Sequence, residues 1–193
     1  LPGKHNIYNA LIAITIGLYY GIKPKTIQDF FSKYQGVWRR LQVIYNKKFT
    51  IIDDCAHNPG SYDAVFSAVK NLSYNKIYII NSIRGNRGCE INKANAETIS
   101  EKISELTNYK LITSNCNDTA KEIDIVKDKE EQVFLKTLQR KNIDYTHFDD
   151  LIPCLEKTLN KASQGDLILL LGPHPMDDAG KIALEILNQN NIY

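Results

Sequence analysis

The sequence predicts an α/β fold: a three-layer, Rossmann-like domain with a mostly parallel sheet, preceded by a helical remnant of another domain. Three observations carry this. Short β-branched or leucine-rich runs alternate with amphipathic stretches of about 10–15 residues, the pattern of successive βαβ units. The run Leu167-Ile168-Leu169-Leu170-Leu171 is apolar throughout, as a strand covered on both faces requires. Residues 1–36 show helical periodicity alone, and the pattern then breaks at Gln35-Gly36-Val37-Trp38-Arg39-Arg40.

The elements follow in order. A first helix is predicted from Asn6 to Tyr20, ended by Gly21 and Pro24, and a second from Lys25 to Ser32, where Ile27, Phe30 and Phe31 recur at helical spacing. The domain boundary is placed at residues 36 and 37. Gln42–Tyr45 and Thr50–Asp53 read as strands joined by a turn at Asn46-Lys47-Lys48. Helices are expected over Ser61–Leu72, Ala94–Thr107, Glu130–Lys141, Leu151–Ala162 and Asp177–Gln189. Strands are expected over Lys76–Asn81, Tyr109–Thr113, Asp144–Phe148 and Asp166–Leu171, with the polar run Ser114–Lys129 as a flexible loop.

Composition bounds the function. The chain has 193 residues, 43% of them hydrophobic, enough for one cored domain and a remnant at roughly 150 residues per domain. Lys and Arg number 24 against 22 Asp and Glu, a net charge of +2 without the clustered basic excess of a nucleic-acid binder. The sole methionine is Met176 and the chain opens on Leu1, so a piece of a longer protein is expected. Cys55, Cys89, Cys116 and Cys154 lack zinc-finger spacing and read as reduced thiols of a cytoplasmic protein, with no metal site expected. The apolar stretch Ile7–Tyr20 is shorter than the about 20 residues a bilayer span needs. It reads as a helix buried against a larger body.

In an open parallel sheet, ligands gather at the carboxyl ends of the strands. That rule nominates the loops Asp54–Gly60, Ser82–Glu90, Ser114–Asp118 and Gly172–Asp178. Neither a G-x-x-x-x-G-K-[ST] nor a G-x-G-x-x-G loop is present, so a complete nucleotide-hydrolysing site cannot be assembled from these residues alone.

Three clusters bear chemistry. In Ile51-Ile52-Asp53-Asp54-Cys55-Ala56-His57-Asn58-Pro59 an apolar strand ends in two carboxylates, an imidazole and an amide. The carboxylates can accept ribose hydroxyls or stabilise the turn, and Asn58 can serve a ligand or cap the next helix. In Gly36-Val37-Trp38-Arg39-Arg40 adjacent arginines can meet phosphate, and Trp38 can pack in an interdomain seam. In Gly3-Lys4-His5-Asn6-Ile7-Tyr8-Asn9-Ala10-Leu11, Asn6 and Asn9 share a helix face and can read a base edge, or cap the helix.

In this order the clusters resemble the Mur ligase superfamily, which includes folylpolyglutamate synthases. There L-P-G-x-H-N-x-x-N-A-L ends the central ATP-binding domain, G-V-x-R-R-x-E opens the carboxy-terminal domain, and D-[YG]-A-H-N-P follows its first strands. The corresponding segments here are LPGKHNIYNAL, GVWRRLQ and DDCAHNPGS, over about the first 60 residues. The resemblance implies that His5, Asn6 and Asn9 meet the adenine side of ATP, Arg40 its phosphates, and Asp54 the ribose. It implies that Arg40 and His57 serve the chemistry, and that His57 and Asn58 shape the cleft where nucleotide, acyl phosphate and amino acid meet. The family reaction activates a carboxylate as an acyl phosphate, which an amine then attacks to form an amide. ATP and magnesium are implied, with the P-loop and magnesium ligands in segments upstream of Leu1, so the fragment alone is expected to be inactive.

Several positions depart from the family pattern. Gln42 stands where many members have Glu, and Cys55 where Tyr or Gly is commoner. Thr113-Ser114-Asn115-Cys116-Asn117-Asp118 resembles the T-S-D-N-P-R of diaminopimelate-adding members but carries Asp118 in place of the arginine. Gly172-Pro173-His174-Pro175 resembles a G-K-G-H-E loop only loosely. Asn58, Arg84, Arg87, Asn115 and His174 are the substrate-binding candidates. In Ser82-Ile83-Arg84-Gly85-Asn86-Arg87-Gly88 the backbone donors and guanidinium groups can meet a carboxylate or phosphate. The expected partners are an amino acid, a carboxylate acceptor and the rest of the chain, with neither membrane nor nucleic acid. Two alternatives stand beside a peptide ligase of the Mur type: a glutamate ligase of the folylpolyglutamate type, and a non-catalytic ligase-like module binding nucleotide or amino acid.

Overall fold

The computed structural model describes residues 4–34 and 36–189, and for residues 4 and 5 the backbone only. Leu1-Pro2-Gly3 of the opening motif and the side chain of His5 therefore lie outside the description. Two helices come first, α1 (Lys4–Tyr19) and α2 (Pro24–Lys33), with Pro24 in the first turn of α2, where a missing N–H is tolerated. They pack at Gly17, where an added Cβ would sit 3.1 Å from the Ile27 side chain. Ile7, Leu11, Ile12 and Ile16 of α1 remain more than half exposed. Among the described residues no helix is long and apolar enough to cross a membrane.

The α/β part contains β1 (Gln42–Asn46), β2 (Thr50–Asp54), α3 (Pro59–Val69), β3 (Ile77–Ser82), α4 (Cys89–Ile103) and β4 (Tyr109–Ser114). It continues with α5 (Asp128–Arg140), β5 (Tyr145–Phe148), α6 (Leu151–Leu159), β6 (Leu167–Leu171) and α7 (Ala179–Gln189). The sheet order is β1-β2-β6-β3-β4-β5, parallel throughout except for the antiparallel edge strand β1.

Alternation along each strand divides the core. Ile77, Ile79, Leu111, Leu167 and Leu169 face α3, α4 and α5, while Tyr78, Ile80, Ile112, Ile168 and Leu170 face α6 and α7. Every residue of β6 is buried, because this strand lies mid-sheet with helices on both faces. Burying one such leucine contributes about 1.5–3 kcal/mol.

Two expectations need correction. Helix α4 begins at Cys89, not Ala94, because its inward positions Asn92 and Asn95 are polar and hide the apolar period. The Ser114–Lys129 run is pinned rather than loose. Cys116 is fully buried, a 3-10 turn covers Glu122–Asp124, and the Asp118 carboxylate accepts the Leu151 and Ile152 N–H groups at 2.8 Å each, capping α6. Asp118, at the position of the arginine in T-S-D-N-P-R, is thus a structural cap.

The topology also fixes where a ligand fits. The chain passes from β2 through α3 to β3, skipping one place in the sheet, and β6 later fills that place. Helices leave neighbouring strands toward opposite faces here, which opens a crevice at the carboxyl edge. Asp54 pairs with Leu171, and Leu171 with Asn81, so the three loops that follow β2, β6 and β3 start side by side.

Candidate functional site

The loop before β1 is held in a strained form. Arg39 and Leu41 both adopt left-handed backbone, with φ of 50° and 46°, a costly state for bulky residues. Buried contacts keep them there. Leu41 is fully buried, and its N–H donates to Asp54 Oδ2 at 2.8 Å. Arg39, 1% exposed, donates Nε–H to Asp53 Oδ1 at 3.1 Å and Nη1–H to Asp177 Oδ1 at 2.6 Å. Its Nη2 reaches the Gly172 carbonyl at 2.7 Å and the Asp54 carbonyl at 3.3 Å. One guanidinium thereby ties together the loop ends after β2 and β6. Burial pushes the Asp53 carboxyl up to about 6 although Arg39 pulls it down.

Arg40, between these two residues, is turned out to solvent with a guanidinium N–H on the Cys55 thiol. It lines a cleft of about 1010 Å³ together with Asn6, Asn9, Asp54, Phe30 and Val65. Four of the five residues assigned to nucleotide thus share one cavity, and the fifth is His5. The walls are largely apolar, as a flat heterocycle prefers, with a few placed polar groups. Asp54 is 5% exposed, and burial raises its carboxyl pKa against the pull of the Leu41 and Ala56 N–H groups.

His57 follows on the same loop. Its Nδ1 hydrogen-bonds the Cys55 carbonyl at 2.6 Å, and its basicity is lowered by burial, with the nearby charges of Arg84, Arg40 and His174 adding to the effect. The loop before β1 and the loops after β2, β3 and β6 therefore bring Arg40, His57, Arg84 and His174 together, with the two arginines making the rim cationic. Arg84 Nη1 meets the His57 carbonyl at 3.4 Å. His174 is 77% exposed and contacts Asp177 Oδ2 at 3.2 Å. Asn58 is the N-cap of α3: its Oδ1 accepts the Ser61 N–H at 3.0 Å, and Ser61 Oγ accepts the Asn58 N–H at 3.1 Å.

The remaining two candidates stand apart from this rim. Arg87 is bound to the Ile123 carbonyl at 3.4 Å and to Asp124 at 3.5 Å. Asn115 is 4% exposed and donates to Glu131 Oε2 at 2.6 Å. The backbone donors expected to receive an external anion are occupied by the chain itself. Glu130 Oε1 accepts the N–H of Arg87 (2.8 Å) and Gly88 (2.5 Å), and its Oε2 accepts those of Asn86 (2.9 Å) and Lys127 (3.0 Å). Gly85 permits this close packing, since a Cβ there would lie 2.0 Å from the Asp124 carbonyl oxygen.

Burial raises the pKa of Glu130, but the four N–H bonds outweigh it and hold the carboxyl below the usual range. A group so depressed contributes stability above its unfolded pKa of about 4.3, and that contribution is lost as pH falls through the folded value. Glu130→Gln is expected to cost at least about 2 kcal/mol at neutral pH and to flatten the acid limb, which urea titrations from neutral to acidic pH will show.

Sequence reasoning missed Arg39 as a hub, Glu130, and the pair Asn92 and Asn95. Asn92 bridges both ends of its loop, accepting the Arg84 N–H (3.2 Å) and donating to the Arg84 (2.8 Å) and Gly88 (3.2 Å) carbonyls. Asn95 donates to the His57 carbonyl at 3.1 Å. The i, i+3 asparagine spacing on α4 was the available signal.

A mostly parallel sheet with helices on both faces, a carboxyl-edge crevice and an apolar cleft beside it defines a doubly wound α/β domain. The chain belongs to the Mur ligase, glutamate ligase domain family, whose model matches residues 39–174. A UDP-N-acetylmuramate–L-alanine ligase of Clostridium acetobutylicum is 43% identical over 81 residues, which cover 42% of this chain and 18% of that one. Its counterpart in Caldanaerobacter subterraneus subsp. tengcongensis is 25% identical over 189 residues, covering 96% of this chain and 39% of the relative. The fold is shared with the solved UDP-N-acetylmuramate–alanine ligase of Thermotoga maritima (TM-score 0.70, 17% identity, 98% of this chain and 39% of that one). It is also shared with the Mycobacterium tuberculosis folylpolyglutamate synthase (TM-score 0.66, 14% identity, 96% and 41%). The chain spans about two fifths of the length of these longer matches.

Proposed function

We propose that this chain is the carboxy-terminal part of an ATP-dependent carboxylate–amine ligase that adds an amino acid to a carboxylate through an acyl phosphate. Residues 1–36 are assigned to the tail of a central ATP-binding domain and 37–193 to the amino-acid-binding domain that closes over it. The supporting observation is the single cleft shared by Asn6, Asn9, Arg40 and Asp54, with the cationic rim at its mouth. Asn6 and Asn9 present carboxamides able to read a purine edge, Asp54 accepts ribose hydroxyls, and Arg40 neutralises phosphate charge as the domains meet.

His57, its pKa lowered by burial, is kept neutral at physiological pH and can orient the incoming amine without competing for its proton. Arg84 and His174 are assigned to the amino-acid carboxylate, with Asn58 holding the start of α3 against it. Arg87 and Asn115 are assigned to the same substrate side, acting through the loops they anchor. Magnesium is assigned to upstream residues, since the described residues of the cleft supply one carboxylate, Asp54. The exposed isoleucines and leucine of α1 suit a helix covered by the remainder of a longer, cytoplasmic chain. Names of relatives direct the reading to cell-wall peptide synthesis, with alanine as the first amino acid to test.

Gln42 does not weaken the ligase reading. Its Oε1 accepts the Arg39 N–H at 3.1 Å, so it supports the loop that presents Arg40. The test is amino-acid-dependent phosphate release from ATP by the intact protein, together with the same assay on the 193-residue chain. Release by the intact protein, strongly reduced in Asp54→Ala, and none by the chain alone is the expected result. No amino-acid dependence overturns the reading in favour of a non-catalytic module, and full rates in Asp54→Ala overturn the assignment of Asp54 to the nucleotide.

A further inference from the structure

We infer that the carboxyl ends of β4 and β5 form a binding site for one divalent cation of the zinc class, held by Glu131, His147 and Asp149 with the Asn115 amide beside them. His147 Nε2 lies 3.9 Å from Glu131 Oε2 and 4.0 Å from Asp149 Oδ1, and the three donor atoms fall within 4.8 Å of one another. These separations are too long for hydrogen bonds. A cation about 2.0–2.2 Å from each donor would draw them together, by about half an ångström for the two His147 distances and by up to about an ångström and a half across the widest separation, to reach tetrahedral spacing.

The buried polar atoms here are also incompletely satisfied. Among the described residues, three buried side-chain polar atoms lack a partner, and two of them are His147 Nε2 and Asn115 Oδ1. Asn115 is 4% exposed and its amide is turned to the Glu131 carboxylate, so an unpaired acceptor sits at the edge of the cluster. Orphaned buried groups of this kind are rare and call for a missing partner.

The surroundings prepare the imidazole as a ligand. His147 Nδ1 and Thr113 Oγ1 share a hydrogen bond of 2.8 Å. With Nδ1 protonated and donating to the hydroxyl, Nε2 carries the lone pair and points between the carboxylates, the outer-sphere arrangement that metal-binding histidines use. The backbone is fixed as well: the Asn115 N–H donates to the Phe148 carbonyl at 3.1 Å and the Asn117 N–H to the Asp149 carbonyl at 3.0 Å. Glu131 follows the Glu130 anchor, which locks the first turn of α5.

An imidazole with two carboxylates favours zinc, or another transition cation, over magnesium, which takes oxygen donors and keeps its waters. The donors come from three separate segments, residue 115 after β4, residue 131 on α5, and the pair 147 and 149 at the end of β5, so short-range sequence spacing shows only the last two together. The site lies at the β4–β5 edge, outside the cleft that Arg40 and Asp54 line, and stands independently of the ligase reading.

The test is calorimetric titration of zinc chloride, and separately magnesium chloride, into the chelator-treated full chain. X-ray absorption at the zinc edge then reports the donor atoms. One equivalent of zinc is expected, with nitrogen and oxygen donors and weak or no magnesium binding. His147→Ala and Asp149→Asn should each weaken zinc by about tenfold or more, whereas Cys89→Ser should leave it unchanged. The Asp149 side chain is 77% exposed, so this variant stays folded even if His147→Ala does not. Absence of stoichiometric binding, sulfur among the donors, or unchanged affinity in Asp149→Asn overturns the proposal.

Discussion

Arg39→Ala is expected to lower the unfolding free energy by about 3–5 kcal/mol, the cost of removing one partner from a buried ion pair. The change leaves Asp53, 2% exposed, without its guanidinium. It also strips the Gly172 carbonyl of a donor and relaxes the strained turn at Arg39 and Leu41. Against a total stability of about 5–15 kcal/mol, that is a large fraction, and at the lower end of the range it leaves an appreciable part of the chain unfolded. Urea denaturation followed by circular dichroism measures it. Arg39→Lys is expected to recover little, because an ammonium cannot reach Asp53, Asp177 and the Gly172 carbonyl together.

A pH signature accompanies this pair. The Asp53 carboxyl, raised by burial to about 6, favours the protonated folded state. Its contribution is therefore fully present below about pH 4 and is lost as pH rises through about 6. Urea midpoints of wild type and Asp53→Asn between pH 4 and 7 should differ in slope, with the variant lacking this decline. A parallel pair of curves would show that Asp53 does not titrate there.

Arg40→Ala is expected to have the opposite character. Its side chain is exposed, so stability should move by no more than about 0.5 kcal/mol. Turnover of the intact protein, measured as amino-acid-dependent phosphate release, should fall by about 10²–10³, as for loss of one preorganised donor to developing charge. On these expectations, two neighbouring arginines would divide stability and activity between them. Near wild-type turnover in Arg40→Ala would remove it from the site.

Much of the fold was legible because β6 is apolar at every position and the strand–helix alternation repeats. Every predicted strand and helix exists, with shifts mostly at the ends. The Ile51–Pro59 cluster announced the carboxyl-edge loop through its abrupt change from apolar to ionisable residues. Arg39 could not be told from Arg40 because its partners Gly172 and Asp177 lie more than 130 positions away. Glu130 was hidden for the same reason, being joined to a loop some 43 residues earlier. Asn92 and Asn95 misled because a buried polar face mimics a solvated one when read by hydropathy.

The Glu130 anchor has a consequence for ligand selection. Its carboxylate is tethered to the amides of residues 86–88 through one folded scaffold, so its effective concentration there far exceeds the millimolar range of even a short flexible linker. A dissolved amino acid or phosphate at cellular levels loses that competition. The loop is consequently closed to free anions at its backbone, and on the proposed function any choice between incoming carboxylates would fall to side chains such as Arg84.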